Sequence, residues 1–309
     1  MSTFTIRHMR DRDKWPVAKI ICLSTSTWYQ THNMGLRFVG GPKTTEFFYD
    51  IYHTLPGSYG IVADDDVSHD VLGSCFVHER PTHMSLGIMN VHPSYANRGI
   101  ASALLRTIIA QAKKIEKPLR LVSSALNLDS FSLYNKQGFV PYCVYQDMEF
   151  TVPQGGYEVN LQATPRTRQG TLADLDEIVA LEREVSGIER PGDYEHFLTN
   201  PDGCWHVSVC DSMDGGIDAV MVSVCNPATT MLGPGCARDA ESGSAVLLAE
   251  LNHFPNHAIV GLIPSACREM VDLGYHLGAK NKELHFAQII GDTPKINGWA
   301  FPTFMPESG

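Results

Sequence analysis

The stretch 88–114, IMNVHPSYANRGIASALLRTIIAQAKK, limits what this chain can fold into more than any other. It opens on a short apolar strand and passes through a Pro-containing turn. A small-residue loop with Gly99 follows, and then a strongly apolar helix. That order has chemical consequences. The first turn of a helix carries N–H groups with no partner inside the helix, and the positive end of the helix dipole lies there. A short loop that delivers those groups to an anion makes a phosphate seat.

The flanking segments supply an α/β frame. Residues 4–9 read as a strand. Residues 11–24 read as a helix that Asp11 can cap, with Trp15, Val17, Ile20 and Ile21 at helical spacing. The polar-aromatic run 24–38, STSTWYQTHNMGLRF, has no clear period and reads as a loop or broken helix lining a pocket. Segments 57–64, 71–78 and 85–91 read as a three-strand meander. Beyond the helix of 99–114 come a strand at 119–124, a short helix at 129–137 capped near Asp129 or Ser130 and stopped by Gly138, and a strand at 139–150. The layout then starts again. Within 167–186, Arg168, Asp174 and Ile178 take the places of Arg7, Asp13 and Val17. Two copies of one α/β unit explain this best, which fits a length of 309 residues. The expected division is a domain at 1–151, a Pro/Gly-rich linker at 152–165 and a second domain at 166–309.

Charge and composition exclude several classes. A net charge of −10 argues against a nucleic-acid or anionic membrane surface, and it mildly favours a neutral or cationic small molecule. The eight cysteines form no CxxC pair, and several lie in apolar runs, as expected of buried thiols in a reducing cytoplasm. The N-terminus has no apolar signal region, and no run approaches the ~18 apolar residues of a membrane span. The thirteen histidines show no zinc spacing, and neither GxSxG nor a Walker pattern occurs, so no metal is expected.

A second motif, NLDSFSLYNKQGF from Asn127 to Phe139, follows the first in order, with a strand between them. With the loop HPSYANRGIAS, it makes the chain from about Phe4 to Phe150 resemble the GCN5-related N-acetyltransferase (GNAT) superfamily. The resemblance implies an α/β (α+β mixed sheet) fold with two GNAT-like domains in tandem. Each would be a mixed, mostly antiparallel sheet flanked by helices. It implies acetyl-CoA as acyl donor, with its pyrophosphate on the backbone N–H groups of Asn97, Arg98, Gly99, Ile100, Ala101 and Ser102. Met89, Asn90 and Val91 would pair with the pantetheine arm, and Asn127 would reach it. Tyr134 would act as general acid on the leaving thiolate. The family's usual Arg or Gln is replaced by Ala96, with Arg98 as the neighbouring cation. Its strand Glu corresponds to Ser85, which leaves His83 and Glu79 as base candidates. Trp28, Tyr29 and His32 fall where the family builds its acceptor pocket.

The second half keeps the order of elements but not the site. Gly233-Pro234-Gly235 falls near the place of the phosphate loop, and Pro234 has no N–H to offer. The segment LGYHLGA at 273–279 echoes Leu133-Tyr134 with Gly138-Phe139. Glu283, His285 and Gln288 alternate on the last strand and read as solvent-side residues, the other reading being a cleft. The expected protein is therefore a cytoplasmic N-acetyltransferase with a degenerate C-terminal GNAT-like domain, monomeric or homodimeric. It would transfer acetyl directly to the primary amine of a small molecule in a ternary complex, without metal, nucleic acid or membrane partners. The alternative is an acetyl-CoA-binding sensor or scaffold without catalysis.

Overall fold

The computed structural model describes residues 3–302, in which the chain runs twice through one order of ten elements. The first set is β1 (Phe4–His8), α1 (Lys14–Thr31), α2 (Pro42–Thr54), β2 (Ser58–Asp65), β3 (Val71–Glu79), β4 (Met84–Val91), α3 (Ile100–Lys114), β5 (Leu119–Ser124), α4 (Leu128–Lys136) and β6 (Val140–Thr151). The second set is β7 (Thr167–Gln169), α5 (Leu175–Ser186), α6 (Pro191–Thr199), β8 (Trp205–Asp211), β9 (Ile217–Asn226), β10 (Thr229–Ala237), α7 (Ala240–His253), β11 (Ala258–Pro264), α8 (Arg268–His276) and β12 (Lys280–Ile290), followed by β13 (Trp299–Phe301). By contacts the chain divides into two compact units between Leu119 and Arg120.

The same ionic clamp opens each set. Arg7 grips Asp13 with two hydrogen bonds of 2.6 and 2.9 Å and donates through Nε to Asp64 at 2.7 Å. Arg168 grips Asp174 at 2.9 and 2.7 Å and donates through Nε to Asp211 at 3.0 Å. In both, the gripped carboxylate also accepts a backbone N–H three residues earlier, from Arg10 at 2.7 Å and Thr171 at 2.8 Å. The clamp thus ties the first strand to the turn that launches the first helix. Val17 and Ile178, one turn further on, are both 0% exposed. The correspondence read from sequence is a correspondence of structure.

In the first unit, β1 to β4 form an antiparallel meander in chain order. Its apolar side chains, among them Phe48, Tyr52, Phe76, Leu104 and Ile108, are buried. α1 corrects one expectation, because it continues to Thr31 and carries Trp28, Tyr29 and Gln30 as helical residues. Ser and Thr disfavour a helix only slightly. Burial of Ile21, Cys22 and Ser26 along one face outweighs that preference, and Thr31 Oγ1 donates back to Trp28 O at 2.8 Å.

In the second unit the strand order is β5-β12-β6-β11-β10-β9-β8-β7, with β13 paired to β10. Pairing is antiparallel from β12 to β11 and from β10 to β7, with a parallel step between β10 and β11. The two sets exchange their last strands. β12 lies beside β5, and β6 lies beside β11, so each closing strand is paired to the other set's eighth element. Met148 and Phe150 of β6 accordingly join Leu247, Leu251, Ile259, Ile263 and Met270 in one buried cluster.

The clamp makes a pH-dependent prediction. Arg168 holds the Asp174 carboxyl down at about 2, below its ordinary 3.8. Asp174→Asn is expected to cost about 1–2 kcal/mol in urea denaturation at neutral pH, a range that allows for solvent screening of the part-exposed Arg168. A depressed carboxyl stabilises the fold above its unfolded pKa and stops doing so as pH falls through its folded pKa. The wild-type advantage should therefore be complete above about pH 4 and vanish near about pH 2. An equal difference at both extremes would contradict this origin.

Candidate active site

The first unit contains the strand–loop–helix that the sequence singles out as a candidate anion seat. β4 carries one extra residue relative to β3, since Cys75 faces Met89 while Val77 faces Leu86. Such a bulge bends a strand and interrupts its ladder. Beyond it, Met89, Asn90 and Val91 are half-buried, whereas Ser85 and Leu86 before it are buried. A 3-10 turn, Pro93–Tyr95, leads to the exposed loop Ala96, Asn97, Arg98 and Gly99. Asn97 and Gly99 both take left-handed backbone, with φ of 60° and 81°. Gly99 is the N-cap of α3 and has no side chain to bond the first turn. A Cβ at Gly99 would meet nothing within 4 Å. The N–H groups at the start of α3 thus have no side-chain cap, beside the roughly half-unit positive charge of the dipole.

Packing fixes that helix start. Ile100, Leu104, Leu105 and Ile108 are buried against the sheet. A Cβ on Gly73 would lie 2.9 Å from Ile100 Cγ2, so the bare backbone of β3 admits α3 at this distance. Ala96 brings no charge to the loop. Its cation is Arg98, whose guanidinium carbon sits 4.9 Å from the centre of the Tyr95 ring.

The other face of β4 meets α1. Asn90 Nδ2 donates to Ser24 Oγ at 3.2 Å and approaches Thr25 Oγ1 at 3.4 Å. One turn on, Trp28 stacks on His32 at 4.1 Å and meets Tyr29 edge-on at 5.2 Å. The helix therefore gathers Trp28, Tyr29 and His32 at its C-terminal turn. The base candidates lie apart from them, at the β3–β4 hairpin. Glu79 pairs with Lys117 at 3.4 Å. His83 is buried, with Nδ1 3.2 Å from Thr82 Oγ1.

The second unit carries Asn127 and Tyr134. Asn127, rather than Asp129 or Ser130, caps α4, and its Oδ1 accepts from Ser130 N at 3.0 Å. This bond occupies the carbonyl side of the amide. Tyr134 is 7% exposed and lies edge-on to Phe139 at 5.8 Å.

The repeat shows what was lost in the second set. Ala103 N donates to Gly99 O, and Gly243 N donates to Asp239 O, so Asp239 is the counterpart of Gly99. Asp239 caps α7, accepting from Ser242 N at 2.7 Å and Ser242 Oγ at 2.9 Å. The helix start is capped by the chain's own carboxylate, and burial begins at Ser242, after the exposed Glu241. Gly233-Pro234-Gly235 corrects the sequence reading. It lies inside β10, at a bulge against β9, and not in the strand–helix loop. Phe131 N bonds Asn127 O and Val271 N bonds Cys267 O, so Asn127 has become Cys267. Phe139 N bonds Tyr134 O and Ala279 N bonds Gly274 O, so the tyrosine has become a glycine. Tyr275, the residue that seemed to echo it in sequence, is one position off, half-exposed, and donates to Gln146 Oε1 at 2.9 Å. Glu283, His285 and Gln288 are also corrected. All three are buried, and Gln288 Nε2 donates to Ser123 Oγ at 2.6 Å.

The profile of the acetyltransferase (GNAT) family matches residues 25–139. No curated protein sequence is similar enough to be matched. Solved structures are alike over nearly the whole chain. A candidate acetyltransferase from Pyrococcus horikoshii, 14% identical, superposes with a TM-score of 0.71 over 96% of this chain and 92% of its own. A tandem GNAT protein from the clavulanic acid biosynthesis pathway, also 14% identical, gives 0.60 over 94% and 100%. A GCN5-related N-acetyltransferase from Sphaerobacter thermophilus, 13% identical, gives 0.59 over 97% and 98%. At such identities the likeness is one of fold. Residues 25–139 thus match the acetyltransferase (GNAT) family, and the chain as a whole shares the fold of a tandem GNAT protein.

Proposed function

We propose that this protein transfers acetyl from acetyl-CoA to the primary amine of a small molecule, by direct attack within a ternary complex. The observation that carries this reading is the start of α3, uncapped behind the exposed loop of Gly99, where the repeat is capped by Asp239. The N–H groups from Asn97 to Ser102, with Arg98 beside them, suit a pyrophosphate. Met89, Asn90 and Val91, past the bulge, offer main-chain groups to the pantetheine arm.

In the transfer, a C–N bond forms, the thioester C–S bond breaks, and the amine gives up a proton. The departing thiolate takes a proton from the Tyr134 phenol, which the released amine proton restores through solvent. Glu79 is engaged by Lys117, so His83 or water is left to accept the amine proton. The stacked Trp28 and His32, with Tyr29, provide aromatic faces that suit a cationic or neutral amine. A second reading, an acetyl-CoA sensor without catalysis, draws on Ser85, a buried hydroxyl where the family has a carboxylate.

Calorimetric titration is expected to find one acetyl-CoA per chain. Gly99→Val places a β-branched residue at φ 81° and should weaken that affinity about tenfold or more. Undiminished affinity in the variant would move the seat elsewhere. With acetyl-CoA and a panel of small amines, thiol release should depend on Tyr134. Tyr134→Phe is expected to lower turnover by about a hundredfold while acetyl-CoA affinity stays within about twofold. Wild-type binding without thiol release on any amine would instead favour the sensor.

A further inference from the structure

Two strands of the second unit, one from each half of the chain, bring three metal-type donors together. Asp147 on β6 and Glu283 and His285 on β12 place one ligand atom each within 4.8 Å of the others. The residues are 3%, 7% and 3% exposed. His285 Nδ1 lies 2.7 Å from Asp147 Oδ1. Ser124 Oγ donates to Glu283 Oε2 at 2.6 Å.

The backbone is shaped to make this meeting. Along β12 and β6, Asn281 faces Met148 and Leu284 faces Gln146, so β12 has one residue more than β6 over this step. The bulge sets Lys282 and Glu283 against Asp147. Lys282 turns to Glu149 at 2.8 Å, and Glu283 is the member that goes inside. Bulges characteristically re-aim side chains beside functional sites.

Donor chemistry narrows the ligand. One imidazole nitrogen and two carboxylate oxygens suit zinc or manganese. Donors about 2.0–2.2 Å from one ion stand roughly 3–3.5 Å apart, a distance that modest side-chain rotation reaches from the present arrangement. Ser124 supplies the outer hydrogen bond that orients a ligating carboxylate.

We propose that Asp147, Glu283 and His285 bind one divalent ion of the zinc class, with water completing its shell, and that the ion clamps β6 to β12. The test uses the full chain, dialysed against EDTA and titrated with ZnCl₂ or MnCl₂ by calorimetry, with thermal unfolding followed in parallel. One equivalent of either ion should bind and raise Tm by several degrees. Both effects should be lost in His285→Ala and in Glu283→Gln. The second variant keeps the side-chain shape and the bond from Ser124, so it carries the test if the first does not fold. Absence of stoichiometric binding of either ion to the wild type would leave a hydrogen-bonded cluster only. That result, or binding undiminished in Glu283→Gln, would overturn the proposal.

Discussion

A helix leaves the N–H groups of its first turn without partners inside the helix. A chain can cap them with its own side chain or keep them for a ligand, and it cannot do both at one helix. In this protein the two equivalent helix starts, α3 and α7, differ on this point. α3 begins behind Gly99, which has nothing to offer its first turn, and the loop before it is exposed. α7 begins behind Asp239, which bonds both the backbone and the hydroxyl of Ser242. Placing a phosphate at α7 would mean displacing a carboxylate already bonded to Ser242 and then meeting its charge. The same loss extends down the repeat, with Cys267 in place of Asn127 and Gly274 in place of Tyr134. Three positions differ together between the two sets, which supports the proposal that a cofactor is held by the first alone.

What the second set keeps is architecture. The Arg168–Asp174 clamp reproduces the Arg7–Asp13 clamp down to the second carboxylate, Asp211 for Asp64. The exchange of β6 and β12 makes each set's sheet depend on the other's closing strand. Met148 and Phe150, though they belong to the first set, are core residues among those of the second. A chain so interleaved cannot discard its degenerate half without exposing the edges of β5 and β6. This accounts for the persistence of a repeat that has lost its site.

Much of this was legible in the sequence, because it rests on local chemistry. The meander, the Gly99 loop and the apolar face of α3 lie within about sixty residues and follow from periodicity and turn residues. The paired Arg and Asp of the two clamps were visible as a repeat. Other features depend on contacts that periodicity does not record. Burial of one face carries α1 on to Thr31 through a run of Ser and Thr. Gly233-Pro234-Gly235 looks like a loop, yet a bulge accommodates it within β10. Tyr275 mimics Tyr134 in sequence, and only the helix-end hydrogen bonds set the true register. Glu283 and His285 alternate as solvent-side residues do, but the exchanged strand carries them inside, beside a partner 138 residues before His285.

On the proposed function, one helix start in this chain holds acetyl-CoA and its repeat does not. Crystals grown with acetyl-CoA test it most directly. The account predicts a pyrophosphate against the backbone of Asn97 to Ser102, and Asp239 still bonded to Ser242 with no cofactor beside it. A pyrophosphate at the start of α7, or an ordered cofactor that avoids the Gly99 loop, would contradict it.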